Sequence, residues 1–192
     1  MRPALAIIEF DSVAVGIAAG DAMAKRAAVE HLRAGTVHPG RYLVLVAGSM
    51  GEVEESYAAG LMTGQGHISD TMLLADIDQR VVDGLVGSRL TGDGEAIGVV
   101  ETRSVPAVIE AADAGVKGAD VTLREIHLAD GLGGKGYLLF NGPVSEVEIA
   151  VELAVARAGE RLVASRVISQ IHEEMDENLL DARRFADRMR PS

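Results

Sequence analysis

The segments of this 192-residue chain that come nearest to binding chemistry are two glycine-containing loops. The run Gly-Leu-Gly-Gly-Lys-Gly at 131–136 has the composition of a phosphate-binding loop. A phosphate loop, however, continues into Ser or Thr and opens a helix whose N-terminus meets the phosphate, whereas a strand-like run follows here at 137–140. We therefore predict no nucleotide site in this loop.

The five histidines are the next candidates, as metal ligands. His38 lies in the other glycine-containing loop with no second ligand at metal-binding spacing, and the rest are scattered singly at 31, 67, 127 and 172. The chain has no cysteine, which excludes disulfides, thiolate zinc sites, cysteine nucleophiles and cysteine-ligated iron–sulfur clusters. The sequence predicts no metal site and no cofactor.

Catalytic motifs are absent from the sequence. It contains no Ser-x-x-Lys, no Gly-x-Ser-x-Gly and no His-Glu-x-x-His. The acids that recur in both halves open predicted helices, where the helix dipole favours negative charge, and they are Glu52, Glu54, Glu146 and Glu148. We predict that the protein is not an enzyme.

Composition excludes two classes of partner. The formal charge of −11 and the isoelectric point near 4.9 disfavour binding to a phosphate backbone, so we predict no nucleic acid. Charges or glycines interrupt every apolar run well before the roughly 18 residues that span a bilayer, so we predict no membrane association. The N-terminal apolar stretch is shorter than a signal-peptide core, which favours a cytoplasmic protein.

An internal repeat supplies the scaffold for the two loops. A shift of 92 residues places 4–31 over 96–123 with 11 identities in 28 positions, and after a two-residue insertion the shift becomes 94. Each copy reads as β-α-β-β-α-β, with a short helix after the fourth strand, near 71–77 and 162–168. The first strands, 4–10 and 96–102, are predicted to be buried mainly on one face.

This order of elements is the split βαβ, ferredoxin-like arrangement, an α+β class with a four-stranded antiparallel sheet and helices on one face. Ser12 and Ser104 are predicted N-caps, and Pro143 is predicted at the first position of the last large helix. The predicted domains are 1–86 and 96–176, joined by the linker 87–95 and followed by a helical tail at 177–192.

The succession ALAIIE…SVAVGIAAGDAMAKRAAV…HPGRYLVLVAGSMGEVEES and its second copy, AIGVVETRSVPAVIEAADAGVKGADV…GLGGKGYLLFNGPVSEVEIA, resembles the bacterial microcompartment shell (BMC) domain. Two domains in unpermuted order resemble the tandem, trimer-forming shell proteins. The resemblance implies a homotrimer whose six domains form a pseudohexameric tile. Such a tile packs beside other shell proteins around encapsulated enzymes and leaves a central pore for metabolites.

In that family the loop between the second and third strands lines the pore. The matching residues here are Val37, His38, Pro39, Gly40, Arg41, Gly131, Leu132, Gly133, Gly134 and Lys135. Arg41 and Lys135 at the loop bases predict a positive local field that favours small polar or anionic metabolites. For the glycines alone a tight turn is the favoured explanation, although both roles can hold, and His38 is predicted to be a solvated rim histidine rather than a metal ligand.

The resemblance also places residues at the edge of the tile. Those residues are Asp21, Lys25, Gln79, Arg80, Asp113, Lys117 and Gln170. Each Asp-x-x-x-Lys run is alternatively an exposed helical ion pair. Family members usually carry an arginine and a proline after the fourth strand, where Ile77-Asp78-Gln79 and Ile168-Ser169-Gln170 stand here, so the lateral contact is expected to be weaker or different, with Arg80 a substitute in the first copy only.

Two questions stay open from the sequence. The basic, amphipathic stretch at 179–190 fits a helix that docks on the acidic tile or on cargo, and equally a solvated tail. A trimeric ferredoxin-like regulatory protein that binds a metabolite is the alternative function, because a fold alone does not fix function.

Overall fold

The computed structural model describes residues 3–88, 90 and 94–180. Part of the predicted linker and most of the predicted C-terminal tail, including 181–190, lie outside the described residues. The C-terminal boundaries of the two predicted domains, at residues 86 and 176, stay predictions.

The described residues form two successive units with the same order of elements. The first contains β1 (Ala4–Phe10), α1 (Val13–Arg26), β2 (His31–Val37), β3 (Arg41–Gly48), α2 (Met50–Thr63), β4 (Ile68–Leu74) and α3 (Gln79–Leu85). The second contains β5 (Ala96–Thr102), α4 (Val105–Gly118), β6 (Thr122–Leu128), β7 (Gly136–Gly142), α5 (Val144–Ala158), β8 (Leu162–Ser169) and α6 (Glu173–Leu180).

Each unit is built on a four-stranded antiparallel sheet. The strand orders are β2-β3-β1-β4 and β6-β7-β5-β8, which is the ferredoxin-like order. The predicted α+β fold class with two tandem domains is confirmed. In both units the β2–β3 or β6–β7 connection is a hairpin, so the two candidate loops occupy equivalent places.

Local sequence signals account for the helix starts, with one difference. The Ser12 hydroxyl accepts a hydrogen bond from Val15 N at 3.4 Å and the Ser104 hydroxyl from Ala107 N at 3.3 Å, as N-caps do. Pro143 precedes α5 instead of opening it, because its ψ of 146° is extended. Pro143 therefore occupies the N-cap position, and α5 begins one residue later than predicted.

The register of the fourth strands corrects the pairing of the two copies there. Leu5 faces Leu74 and its counterpart Ile97 faces Ile168, so Leu74, not Ile77, is the counterpart of Ile168. Strand β4 accordingly ends at Leu74, three residues before the predicted end. The predicted correspondence between Ile77-Asp78-Gln79 and Ile168-Ser169-Gln170 is therefore wrong, because the two segments are out of register by three residues.

The helices that follow these strands start in the same way. Asp78 O accepts from Val81 N and Val82 N, at 3.0 and 3.2 Å, and His172 O accepts from Met175 N and Asp176 N, at 2.9 and 3.0 Å. This shared pattern makes α3 the counterpart of α6 with a shift of 94, and it pairs Arg80 with Glu174.

Strand β1 is buried on both faces, which the sequence did not predict. Ala6, Ile8 and their neighbours two residues apart pack on α1 and α2, while Leu5 and Ile7 share a core with α4 of the second unit. The alternation of side chains along a strand puts these two sets on opposite faces. The expectation of burial mainly on one face was wrong because the second domain covers the other face.

Candidate functional site

The two predicted pore loops lie against each other. His38 N donates a hydrogen bond to Asp130 Oδ1 at 3.2 Å, and the His38 ring nitrogen Nδ1 lies 3.5 Å from the same oxygen. Gly134 packs on the other loop, since a Cβ there would lie 2.9 Å from Pro39 Cδ and 3.2 Å from His38 O. The packing of the two domains thus brings both hairpin tips into contact in space.

The loop glycines have the backbone conformation that tight turns require. Gly40, Gly131, Gly133 and Gly134 have φ of 95°, 78°, 64° and 86°, a region that residues with a Cβ rarely adopt. The turn interpretation of these glycines is therefore confirmed, while a role in lining a pore stays a prediction. A cleft of about 270 Å³ opens beside the tips, lined by Thr36, Val37, His38, Gly40 and Asp130.

The cations at the loop bases are paired with acids. The Arg41 guanidinium binds the carboxylate of Glu9, and Lys135 Nζ lies 2.6 Å from Glu101 Oε1. Asp130 adds a further negative charge beside His38. Each loop-base cation is therefore paired with an acid near the end of the first strand of its domain. This pairing offsets the two charges on which the predicted positive field depends, and the field at a pore stays a prediction.

Glu9 is the most deeply buried acid of this set. Its side chain is 1% exposed, and Oε2 accepts a hydrogen bond at 3.0 Å from Val105 N, at the start of α4 in the other domain. Burial raises the pKa of Glu9 from its usual value, although the hydrogen bonds from Val105 and Arg41 oppose that rise. Glu9 thus connects the base of the first loop to the helix that seals the domain junction.

Three of the predicted tile-edge residues lie at this junction between the domains. Asp113 is buried, accepts from Asp78 N at 2.8 Å and pairs with Lys117 Nζ at 2.6 Å. Lys117 also donates to Asp76 O. Arg80 pairs with Asp78 at 2.9 Å and donates to the carbonyls of Val116 and Val121, near the end of α4. These three side chains join the two domains within the chain, a role that the sequence did not predict.

The other predicted edge residues are exposed. Asp21 and Lys25 form the expected helical ion pair at 2.5 Å, Gln79 donates to Asp83 at 2.9 Å, and Gln170 has a φ of 52° just after β8. Contact between these residues and a neighbouring tile stays a prediction.

A further ion cluster at the junction was missed by sequence reasoning. Arg161 binds Asp70 of the first domain at 3.2 Å and Glu110 at 2.6 Å, and Glu110 also binds Arg157 at 2.5 Å. The Ser104 hydroxyl donates to Asp70 as well. The repeat gave no signal for this cluster, because the counterpart of Asp70 is Ala164.

The described residues contain neither a cluster of metal ligands nor a membrane-spanning helix. None of their His, Asp and Glu side chains form a group of three or more that could hold a metal ion. Their helices include none with both the length and the apolar character needed to cross a bilayer.

Comparison with known families assigns both halves of the chain. Residues 4–77 and 96–171 each match the BMC domain. The chain belongs to this family. The predicted resemblance to tandem-domain microcompartment shell proteins in unpermuted order is confirmed.

Three known proteins show how far the similarity extends. The bacterial microcompartment shell protein PduT of Citrobacter freundii is 40% identical over 177 residues, which are 91% of this chain and 96% of PduT. The carboxysome shell protein CcmK2 of Thermosynechococcus vestitus is 38% identical over 85 residues, 42% of this chain and 81% of CcmK2. A crystal structure of a microcompartment protein from Desulfitobacterium hafniense DCB has a TM-score of 0.80 at 34% identity and covers 92% of this chain and 99% of that one.

A first prediction tests the contact between the loops. Gly134→Ala should destabilise the chain more than Gly133→Ala, because both substitutions strain a positive φ but only the first places a Cβ against Pro39. We expect a loss of about 1 kcal/mol for Gly133→Ala and about 2–3 kcal/mol for Gly134→Ala in urea unfolding. Equal losses would contradict the packing of one loop on the other.

A second prediction concerns the pH dependence of stability. The pKa of Glu9 is raised in the folded chain, so its contribution is fully present below the usual value of 4.5 and declines as pH rises through the raised pKa. The free energy of unfolding of the wild type, minus that of Glu9→Gln, should therefore fall between pH 4.5 and 7. Urea titrations of both proteins measure the difference, and a difference that grows with pH would refute the assignment.

Proposed function

We propose that this protein is a structural shell protein of a bacterial microcompartment, in which three chains form a pseudohexameric tile with a central pore. The observation that carries the proposal is the junction between the two domains. There α4 and β6 of the second domain pack against β4 and α3 of the first domain, so the two surfaces that meet are different. Each domain carries both kinds of surface, so this head-to-tail contact leaves one kind exposed on the first domain and the other kind exposed on the second. Repeating the same contact between chains would generate a ring.

The unused surfaces are visible as differences in burial between the two copies. Helix α4, which packs on its own domain and on the first domain, buries 11 of its 14 residues, whereas α1 buries 4 of its 14. Ile109 on α4 is 0% exposed and its counterpart Ile17 on α1 is 54% exposed. Val81 on α3 is 0% exposed, while its counterpart Met175 on α6 is 54% exposed. Burying these apolar side chains against a second copy would stabilise the assembly.

The strands show the same asymmetry. Strand β6, which α3 covers, is largely buried, while its counterpart β2 is largely exposed. Strand β4 packs on α4, while its counterpart β8 presents Ile168 at 40% exposure. The proposed contact therefore places α1 and β2 of one chain against β8 and α6 of the next, and three such contacts complete a ring of six domains.

The pore follows from the position of the hairpin tips. In a ring of alternating domains the two adjacent tips of each chain would lie together near the axis, so that six loops line the opening. Their rim would consist of backbone groups, His38, Pro39 and Leu132, with the paired cations behind them. Because the charges are paired, we propose passage of small polar metabolites without a preference for anions.

The remaining roles belong to the same proposal. The tile would pack beside other shell proteins through the exposed pair Asp21–Lys25 and residues near it, and would face enclosed enzymes on one side. The chain would have a structural rather than a catalytic role, at the shell of a compartment in the cytoplasm.

A third prediction tests the assembly. Ile17→Asp should dissociate the trimer, because it places a charge in the proposed apolar contact between chains. Met62→Asp is the matched control, since Met62 is 78% exposed on α2 and lies outside that contact. Native mass spectrometry should show trimers for the wild type and the control and monomers for Ile17→Asp. Electron microscopy should show flat hexagonal sheets for the first two proteins only, and discrete trimers without sheets would favour the regulatory alternative.

A fourth prediction tests the pore. Replacing His38 and Leu132 together with Trp should narrow the opening without altering the tile. In purified shells that enclose their enzymes, the ratio of turnover in intact to broken shells should fall severalfold relative to the wild type. A ratio that stays unchanged in intact shells would place the route of the metabolites elsewhere.

A further inference from the structure

A chain of contacts links the base of the first hairpin loop to the other domain. The Arg41 guanidinium binds Glu9 Oε1, and Glu9 Oε2 accepts from Val105 N at 3.0 Å. Val105 is the first residue of α4, where the backbone N–H has no partner within the helix. Helix α4 has no acidic residue in its own first turn, so Glu9 supplies the negative charge that the helix dipole favours there.

The second domain repeats the first of these contacts, the ion pair between the loop-base cation and the strand acid. Lys135 is the counterpart of Arg41 and Glu101 is the counterpart of Glu9, and Lys135 Nζ lies 2.6 Å from Glu101 Oε1. The second contact would need a helix in the place that α4 occupies on the first domain. Among the described residues no helix start meets Glu101, whose side chain is 33% exposed where that of Glu9 is 1% exposed.

Helix α1 has the complementary feature. Its first residue, Val13, is the counterpart of Val105 under the 92-residue shift. Like α4, it has no acidic residue in its first turn, and its N-cap Ser12 serves Val15 N and not Val13 N. The face that α1 presents includes Ile17, whose counterpart Ile109 is fully buried at the domain junction. Helix α1 thus offers the same N–H group and the same apolar face that α4 uses within the chain.

We propose that Glu101 of each chain accepts a hydrogen bond from Val13 N of the neighbouring chain and supplies the N-terminal charge of α1 across the interface. The proposal rests on the proposed trimer and names the polar contact that fixes its register. The relay from Lys135 through Glu101 to α1 would tie the second loop to the contact between chains, as Arg41 and Glu9 tie the first loop to the contact within the chain. Three such contacts would occur in the ring, one for each junction between chains.

The decisive variant is Glu101→Gln, which keeps the shape of the side chain and removes its charge. Losing a hydrogen bond to a charged acceptor should weaken the association constant of each junction roughly tenfold. Because the ring contains three such junctions, the trimer–monomer equilibrium constant should shift by about a thousandfold. Glu148→Gln is the matched control, because Glu148 is an exposed acid on α5 of the same domain. Sedimentation velocity over a dilution series measures both, with circular dichroism to show that each chain folds.

The outcomes separate this inference from the proposed function. A stable wild-type trimer that Glu101→Gln weakens and Glu148→Gln does not supports the contact. A trimer equally stable in both variants overturns the contact and leaves the tile intact, whereas a wild type that never forms trimers overturns both.

A measurement on the wild type is independent of whether the variant folds. The Val13 amide should exchange its hydrogen at least tenfold more slowly in the concentrated trimer than in the diluted monomer. Equal exchange rates in the two states would overturn the proposed contact.

Discussion

The sheet of the first domain has two apolar faces, and its own helices cover only one of them. Leu5, Ile7 and Met72 occupy the other face, and α4 of the second domain buries them. Because burying apolar area is the main favourable contribution to association, this uncovered face obliges the domain to pack against a neighbour. The corresponding face of the second domain differs, because Ile97 on β5 is buried, Arg166 stands in the place of Met72, and Ile168 on β8 is 40% exposed. The proposed contact between chains would cover this second face.

Polar groups determine where the apolar surfaces meet. Glu9 is buried beside Arg41, and its Oε2 accepts from the first N–H of α4, so a shift of the helix along the sheet would leave this buried oxygen without its donor. Asp113 acts in the same way at the other end of α4, where it accepts from Asp78 N. An apolar face alone would tolerate several positions of the helix, whereas these hydrogen bonds favour one.

The repeat made most of the fold predictable, and the charges of the site were not predictable from it. The shift of 92 and then 94 residues located both sheets, the Ser12 and Ser104 caps and the two hairpin loops, because these depend on local pattern. The pairing of Arg41 with Glu9 depends on two strands being neighbours in the sheet, and Glu9 served in the sequence only as a strand marker. The cluster of Asp70, Glu110 and Arg161 depends on how two domains pack, which neither copy specifies by itself.

The two copies differ at residues that separate the junction within the chain from the proposed junction between chains. Within the chain, Arg80 donates to carbonyls at the end of α4. The counterpart of Arg80 is Glu174, which accepts and does not donate, and the last turn of α1 carries both Lys25 and Arg26. The counterpart of Arg26 on α4 is Gly118. A contact between α6 and α1 would therefore place Glu174 near this additional cation, whereas α3 against α1 would bring Arg80 to it. Electrostatic repulsion of that kind disfavours pairing the wrong domains and supports strict alternation of the two domains around a ring.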